Sequence, residues 1–322
     1  MITGILKTRQ GLVESQHLLE WGIMDEFSNG KASQGFVQLG TYLRSAFKPF
    51  QTMVLSQVLR EANSKYWKRV PSEAWVIASA SHSGDACHIQ WVNWWLDQAG
   101  LTPEEASNAL LCGRHAPMGG VASSDLLLAT ENLSLFHNCS GQHAMILKVC
   151  QVLDWPTENY TSSEHPCFQA IVQVLEKLLP REMIQWGVDG CRLPTPYLSL
   201  QEILHVMSQF AQTDAAQVLL KAMKKHPLLV AGTFRFDSLI GELEFPIVSK
   251  IGAEGLLVAW HLERKETLVV KSISGDSVMR DRFAWHVMAQ QGWLPQELAL
   301  SHSPLLDDSP YATVQSDLQV LI

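Results

Sequence analysis

The sequence predicts an α+β fold with a mainly antiparallel sheet formed by N- and C-terminal segments and helices on both sides. Two observations favour this class. Short β-branched or apolar segments dominate the two ends of the chain, and helical periodicity fills the middle. A repeating βαβ chain would instead alternate strands and helices throughout. We therefore expect one domain over residues 1–322, with a helical lobe around residues 84–240.

The individual elements follow from local periodicity. The predicted strands are residues 13–17, 75–79, 255–260 and 267–273. The predicted helices carry apolar residues at helical spacing: 85–99, 166–179, 199–210, 214–224 and 278–290, with a further helix starting at residue 144. Pro166 suits a first helical turn, because the N–H that proline lacks has no partner there.

Composition excludes several classes of protein. The 322 residues carry a net charge of −8, with 47% hydrophobic and 17% charged residues, which is unlike a disordered chain. A net negative charge argues against binding to nucleic acid or to an anionic membrane surface, because phosphates attract clustered Lys and Arg. No apolar stretch reaches the ~18 residues of a membrane span. Six scattered cysteines indicate reduced thiols in a cytoplasmic protein.

The first chemical motif is a serine three residues before a lysine. Ser45 and Lys48 share one face if they lie on a helix. A lysine can activate a serine when burial or nearby positive charge, here from Arg44, favours the neutral amine. Pro49 restricts the motif to the first helical turn, where the helix dipole favours a developing oxyanion. The alternative is a chance Ser-x-x-Lys spacing.

Two further segments carry candidate catalytic groups. The turn Ser81-His82-Ser83-Gly84-Asp85 follows a predicted strand and opens a helix, a position where site residues are often mounted. Its alternative role is an ordinary helix cap. Lys271 lies inside an apolar strand, so its amine must reach solvent or find a partner.

The third candidate is a set of possible metal ligands. Cys139 and His143 are four residues apart, just before the helix predicted from residue 144, and two ligands at this spacing on one face could hold a metal with a third donor, for which Cys191 is the best candidate. The alternative is that these cysteines are buried as small hydrophobic residues.

Eight segments, in this order and spacing, together carry a resemblance to a known family. They are residues 11–17 (GLVESQH), 43–51 (LRSAFKPFQ), 81–85 (SHSGD), 112–117 (CGRHAP), 138–143 (NCSGQH), 189–194 (DGCRLP), 230–237 (VAGTFRFD) and 250–255 (KIGAEG). The chain resembles the L-asparaginases of the thermolabile, rhizobial type. A run of matches over most of the chain is far more specific than any single motif.

The resemblance implies a fold similar to serine β-lactamases and glutaminases and the hydrolysis of L-asparagine to L-aspartate and ammonia. It implies a site with two serine–lysine pairs, Ser45 with Lys48 and Ser81 with Lys271. An acyl-enzyme would form on the first serine. Members of the family are typically homodimers.

The resemblance also implies substrate and metal ligands. The predicted substrate-binding residues are Arg44, His82 and Asp189, the last holding the substrate ammonium group. Family members carry zinc on two cysteines and a lysine, and the cysteines correspond to Cys139 and Cys191. The family lysine is Gln142 here, and a neutral amide is a poorer zinc ligand than an amine.

Two alternatives stay open at this point. A glutaminase, or another small-amide or lactam hydrolase, would use the same site, because one methylene changes discrimination by only ~1–3 kcal/mol. A non-catalytic member would bind an amino acid without turnover. A substrate panel with ammonia detection distinguishes the first alternative from an asparaginase. Thermal stabilisation by asparagine without ammonia release identifies the second.

Overall fold

The computed structural model describes residues 4–9, 12–27, 29–34, 40–114, 133–179, 184–298 and 317–321. Motif residues 11 and 115–117 lie outside these ranges. The chain divides into two compact units. The sheet unit comprises Met1–Ala46, Leu198–Ala211 and Leu243–Ile322, and the helical unit comprises Phe47–Tyr197 and Gln212–Glu242.

Ten strands lie within the described residues. In chain order they are β1 Gly4–Arg9, β2 Leu12–Met24, β3 Gly30–Gln34, β4 Gly40–Tyr42, β5 Gln185–Val188, β6 Pro194–Ser199, β7 Ile247–Ile251, β8 Leu256–His261, β9 Glu266–Ser272 and β10 Asp317–Leu321. In the sheet unit the order is β10-β1-β2-β9-β8-β7, and β3 also pairs with β2. The pairings are antiparallel. In the helical unit, β5 pairs with the beginning of β6.

The sheet joins the two ends of the chain, which confirms the predicted α+β class. Gly4 of β1 pairs with Leu321 of β10, and Glu20 of β2 lies opposite Lys271 of β9. Every residue of β8 and β9 is buried, so both faces of these central strands are covered. The predicted strands near residues 13–17, 255–260 and 267–273 all lie within this sheet.

Twelve α-helices lie within the described residues. They are α1 Lys48–Ala62, α2 Ser64–Trp67, α3 Ser72–Ser79, α4 Ala86–Gln98, α5 Pro103–Ala109, α6 Ser140–Leu153, α7 Pro166–Leu178, α8 Leu200–Gln212, α9 Asp214–Lys225, α10 Pro227–Val230, α11 Phe236–Glu242 and α12 Ser277–Gln290. The five helices predicted from periodicity are all present. The helix expected from residue 144 begins earlier, at Ser140.

One predicted strand, residues 75–79, is wrong. The segment belongs to α3, which follows Pro71 in an extended N-cap conformation and has Glu73 in its first turn. Residues 74–79 are all buried, so the helix is apolar on every side and shows no amphipathic period. A short continuous apolar run of this kind does not distinguish a buried helix from a buried strand.

Helices cover the sheet within its own unit. The Trp260 indole of β8 donates a hydrogen bond to the Met207 carbonyl of α8 at 3.1 Å, and its ring packs against Phe210. Helix α12 packs against β8 and β9. Among the helices within the described ranges, none combines the length and apolarity needed to span a bilayer.

Candidate active site

Ser45 lies in a tight turn that leads into α1. The 3₁₀ turn Arg44–Phe47 precedes Lys48, the first residue of the helix, and Pro49 occupies the first turn as predicted. Arg44 has φ = 50°, a left-handed conformation that is unusual for a residue with a side chain. Conformations of this kind cost about 1–3 kcal/mol and are frequent at functional sites. The backbone immediately before Ser45 is therefore strained.

Gly252, the residue after β7, supports this turn inside the sheet unit. A Cβ added to Gly252 would lie 2.8 Å from the Leu43 carbonyl oxygen, so only glycine permits this approach. The buried guanidinium of Arg280 contacts the Gly252 carbonyl at 3.4 Å. The segment KIGAEG thus fixes the chain that leads to Arg44.

The Lys48 amine is buried in the helical unit among three oxygen atoms. Its Nζ lies 2.6 Å from the Ala80 carbonyl, 3.3 Å from the Asn138 carbonyl and 3.3 Å from the Ser81 hydroxyl. The lysine is only 2% exposed, so these oxygens replace water around the amine. The structure therefore brings Lys48 and Ser81 together.

The loop that carries Ser81 is held by its own backbone. The Ser81 N–H donates to the Val230 carbonyl, and the His82 N–H donates to the Asn138 carbonyl. Gly232, at φ = 116°, packs so tightly on Ser83 that a Cβ has no room. The loop joins two helices, α3 and α4, and its conformation is set by these neighbours.

His82 is fully buried rather than open to solvent. Its Nε2 pairs with the Ser140 hydroxyl at 2.9 Å, and that hydroxyl donates to the Leu135 carbonyl, so Nε2 carries the hydrogen. Its Nδ1 has no hydrogen-bond partner among the described residues. Burial, reinforced by His88, holds the pKa of His82 well below its usual range. His82 is therefore a neutral imidazole with a free acceptor nitrogen.

Lys271 lies on β9 in the sheet unit, with its amine bound to backbone oxygens. Its Nζ is 2.6 Å from the carbonyls of both Glu254 and Ser272. Burial lowers the pKa of Lys271, while Glu254 and Glu20 act in the opposite direction. The lysine inside an apolar strand thus finds partners rather than solvent.

Cys139 and Cys191 are both buried in the helical unit, and the Cys139 thiol donates to the Asn138 side-chain oxygen at 3.2 Å. Interaction with Cys191 holds the pKa of Cys139 well below its usual range, against the effect of burial. The same interaction, together with burial, raises the pKa of Cys191. Cys139 is the thiolate-prone member of the pair.

The third position of the implied zinc site does not supply a matching ligand. The Gln142 amide donates to the Gln51 side-chain oxygen at 2.7 Å. His143 does not replace it, because the ligand atoms of Cys139, His143 and Cys191 do not form a group within 4.8 Å in the described part of the chain. The donor set is therefore two thiols without a third strong donor, which does not fit a tetrahedral zinc site.

Asp189 follows β5 and is partly accessible. Its carboxylate accepts the Gly190 N–H at 2.7 Å, and its backbone carbonyl accepts the N–H of Arg192, which has φ = 70°. This tight turn fixes the direction of the carboxylate. Its role toward the substrate ammonium group stays a prediction.

Nearly the whole chain matches one known protein family. The model of one family, described as L-asparaginase II, matches residues 5–311, which is nearly the whole chain. The match defines the protein as an amidohydrolase. The chain belongs to the L-asparaginase II family, whose general activity is the hydrolysis of asparagine. The rhizobial subtype stays a prediction, and a search of curated proteins finds no match.

Proposed function

We propose that the chain hydrolyses L-asparagine through a covalent acyl-enzyme on Ser45, with Lys48 as the base. The Ser45 oxygen attacks the side-chain carbonyl carbon of asparagine, and Lys48 accepts the hydroxyl proton. The carbon–nitrogen bond then breaks, and a proton relayed by Ser81 and Lys271 leaves with ammonia. Water cleaves the resulting ester, which releases aspartate and restores the serine.

The contacts of Lys48 carry this proposal. Two of its three partners, the carbonyls of Ala80 and Asn138, can only accept hydrogen bonds. The third partner is the Ser81 hydroxyl, 3.3 Å from the amine, and a hydroxyl can donate as well as accept. Ser81 is thus the partner through which a proton would reach Lys48, and such a transfer needs a hydroxyl within hydrogen-bond distance of the base.

The position of Ser45 supports its role as nucleophile. Ser45 and Lys48 are three residues apart at the transition from a 3₁₀ turn to α1, and side chains at this spacing eclipse in a 3₁₀ helix. The Ala46 N–H already donates to the Leu43 carbonyl at 3.1 Å. It is therefore not an oxyanion donor in this conformation, and the N-terminal end of α1 supplies the favourable dipole.

A single substitution tests the proposal. Ser45→Ala should lower kcat for ammonia release by at least about 10³-fold, as loss of a nucleophile does in other hydrolases. Ser56→Ala is the matched control, because Ser56 lies on α1 and, within the described ranges, its hydroxyl bonds only to the Met53 carbonyl of the same helix. A Ser45→Ala enzyme with kcat within tenfold of the unmodified chain would refute the assignment.

The substrate preference needs a separate measurement. We infer that asparagine is preferred over glutamine, and kcat/KM for both amides and a β-lactam measures this directly. Higher kcat/KM for glutamine would favour the glutaminase alternative. Stabilisation by asparagine in a thermal shift assay, without ammonia release, would favour the non-catalytic alternative. The homodimer and the cytoplasmic location stay predictions.

A further inference from the structure

We propose that Cys150, His165 and Cys167 bind a zinc ion as three of its four ligands, at a site separate from Cys139 and Cys191. The three ligand atoms lie within 4.8 Å of one another inside the helical unit. All three side chains are at most 2% exposed. Their residue types are the ones that zinc prefers, with two sulfur donors and one imidazole nitrogen.

The sulfur separation fits a tetrahedral ion. Cys150 Sγ and Cys167 Sγ are 3.6 Å apart. With Zn–S bonds of about 2.3 Å, tetrahedral geometry places two sulfurs about 3.8 Å apart. The two thiols thus need to separate by only a few tenths of an ångström. A disulfide would instead require an approach to about 2.05 Å.

The histidine is already oriented by an outer hydrogen bond. His165 Nε2 lies 2.8 Å from the Pro156 carbonyl, so this nitrogen carries the hydrogen. Metal-binding histidines usually donate their second nitrogen to a carbonyl or carboxylate in this way. The other nitrogen, Nδ1, accepts a longer bond of 3.2 Å from the Cys167 N–H, and zinc would replace that bond.

The positions of the three residues give the ion a structural role. Cys150 lies near the end of α6, His165 is the N-cap of α7, and Cys167 lies in the first turn of α7. The intervening segment, residues 154–164, contains no helix or strand. An ion held at both ends would therefore close this loop and fix the start of α7. The helix dipole also favours a thiolate at Cys167.

Charge favours zinc over a monovalent ion. Zn²⁺ with two thiolates and a neutral imidazole has no net charge, whereas Cu⁺ with the same ligands would bury one negative charge. Zinc binds the thiolate form of cysteine, and an unbound thiol first has to lose its proton. Zinc binding must therefore displace a proton, and the affinity should rise with pH.

Cobalt titration tests the proposal on the full chain. Co²⁺ replaces Zn²⁺ in thiolate sites and gives sulfur-to-cobalt charge-transfer bands in the near ultraviolet. The chain carrying Cys139→Ser and Cys191→Ser, stripped of metal and kept reduced, should bind one Co²⁺ with these bands. Zn²⁺ should then displace the Co²⁺ and bleach the spectrum.

Two variants in that background identify the ligands. His165→Asn removes the imidazole but keeps a good N-cap residue for α7, so the fold is preserved. It should weaken Co²⁺ binding more than about 100-fold, the upper range for changes to outer-shell partners. Cys87→Ser changes an exposed cysteine and should bind as the background does.

Three outcomes would overturn the proposal. The first is the absence of charge-transfer bands in the reduced protein that carries Cys139→Ser and Cys191→Ser. The second is an unchanged Co²⁺ affinity when His165→Asn is added. The third is a Cys150–Cys167 disulfide in protein purified without reductant. Circular dichroism of each variant shows that the fold is retained. Loss of binding in Cys167→Ser, with an unchanged far-ultraviolet spectrum, would support the site independently.

Discussion

The most informative perturbation of the candidate active site is Lys48→Met. Methionine has nearly the length of the lysine side chain and fills the same buried space, but it has no amine. The change removes contacts to Ala80, Ser81 and Asn138 in one step. It therefore tests whether this amine acts as the base.

The expected loss of activity follows from the role of the amine. Removal of a positioned general base costs about 10²–10⁴-fold in kcat, or about 3–5 kcal/mol. The effect on stability should be smaller. The Ala80 carbonyl loses a short buried hydrogen bond, which costs about 1–3 kcal/mol, but the desolvation cost of the buried amine also disappears. The Asn138 carbonyl keeps the N–H of His82.

A double-mutant cycle shows whether Lys48 and Ser81 act as one unit. The assay is ammonia release from asparagine by Lys48→Met, Ser81→Ala and the double variant. If the two groups move the same proton, the double variant should lose about as much activity as the more damaging single variant. Rapid-quench mass spectrometry adds a second readout. Ser45→Ala should form no acyl-enzyme, because it lacks the nucleophile.

The control for this series is Lys224→Met. Lys224 also lies in the helical unit, and its amine donates to the Gly241 carbonyl at 2.7 Å. It therefore loses a comparable hydrogen bond away from Ser81. The reasoning is refuted if Lys48→Met keeps kcat within tenfold of Lys224→Met, or if the losses of Lys48→Met and Ser81→Ala multiply in the double variant.

Three further predictions concern pH and metal. Burial depresses the pKa of Lys271, so the unfolded chain binds a proton at this lysine more tightly than the folded protein does. The free energy of unfolding, compared with that of Lys271→Met, should therefore rise with pH up to 10.5. Urea titrations at several pH values measure this difference. Burial lowers the pKa of His143 from 6.5 to about 3, so acid should progressively destabilise the protein between these values. The loss reaches about 2 kcal/mol at pH ~5, and His143→Gln should lack it; an equal pH slope in both proteins would contradict this. Gln142→Lys restores a third donor beside Cys139 and Cys191. It should raise zinc affinity at least about tenfold in a competition titration. An unchanged affinity would contradict this prediction.

The fold was largely predictable because its elements carry their own periodicity. Helices α7, α8 and α9 each have one apolar face, and the sequence locates them within two residues of their observed ends. The segment 75–79 failed because it is buried on all sides, which removes the period that distinguishes helix from strand. Burial of a whole element thus erases the signal on which its prediction depends.

The cysteine and histidine cluster could not be found from spacing. Cys150 is 15 residues before His165, and no short motif such as Cys-x-x-Cys links the three ligands. Only the packing of α6 against α7 brings the two sulfurs to 3.6 Å. The available signal was the pair His165 and Cys167 at a helix start, where N-cap geometry places a ring nitrogen beside the first turn.

The surroundings of Lys48 show a different limit. The sequence identified the lysine and the serine because their residue types carry chemistry. The two carbonyls that orient the amine belong to Ala80 and Asn138, and a backbone oxygen is present in every residue. Their positions depend on where α3 ends and on the turn before α6, and no residue type in the sequence predicts these positions. Backbone acceptors therefore decide from which hydroxyl a buried amine can take a proton. The positions of these acceptors are visible only in the three-dimensional structure.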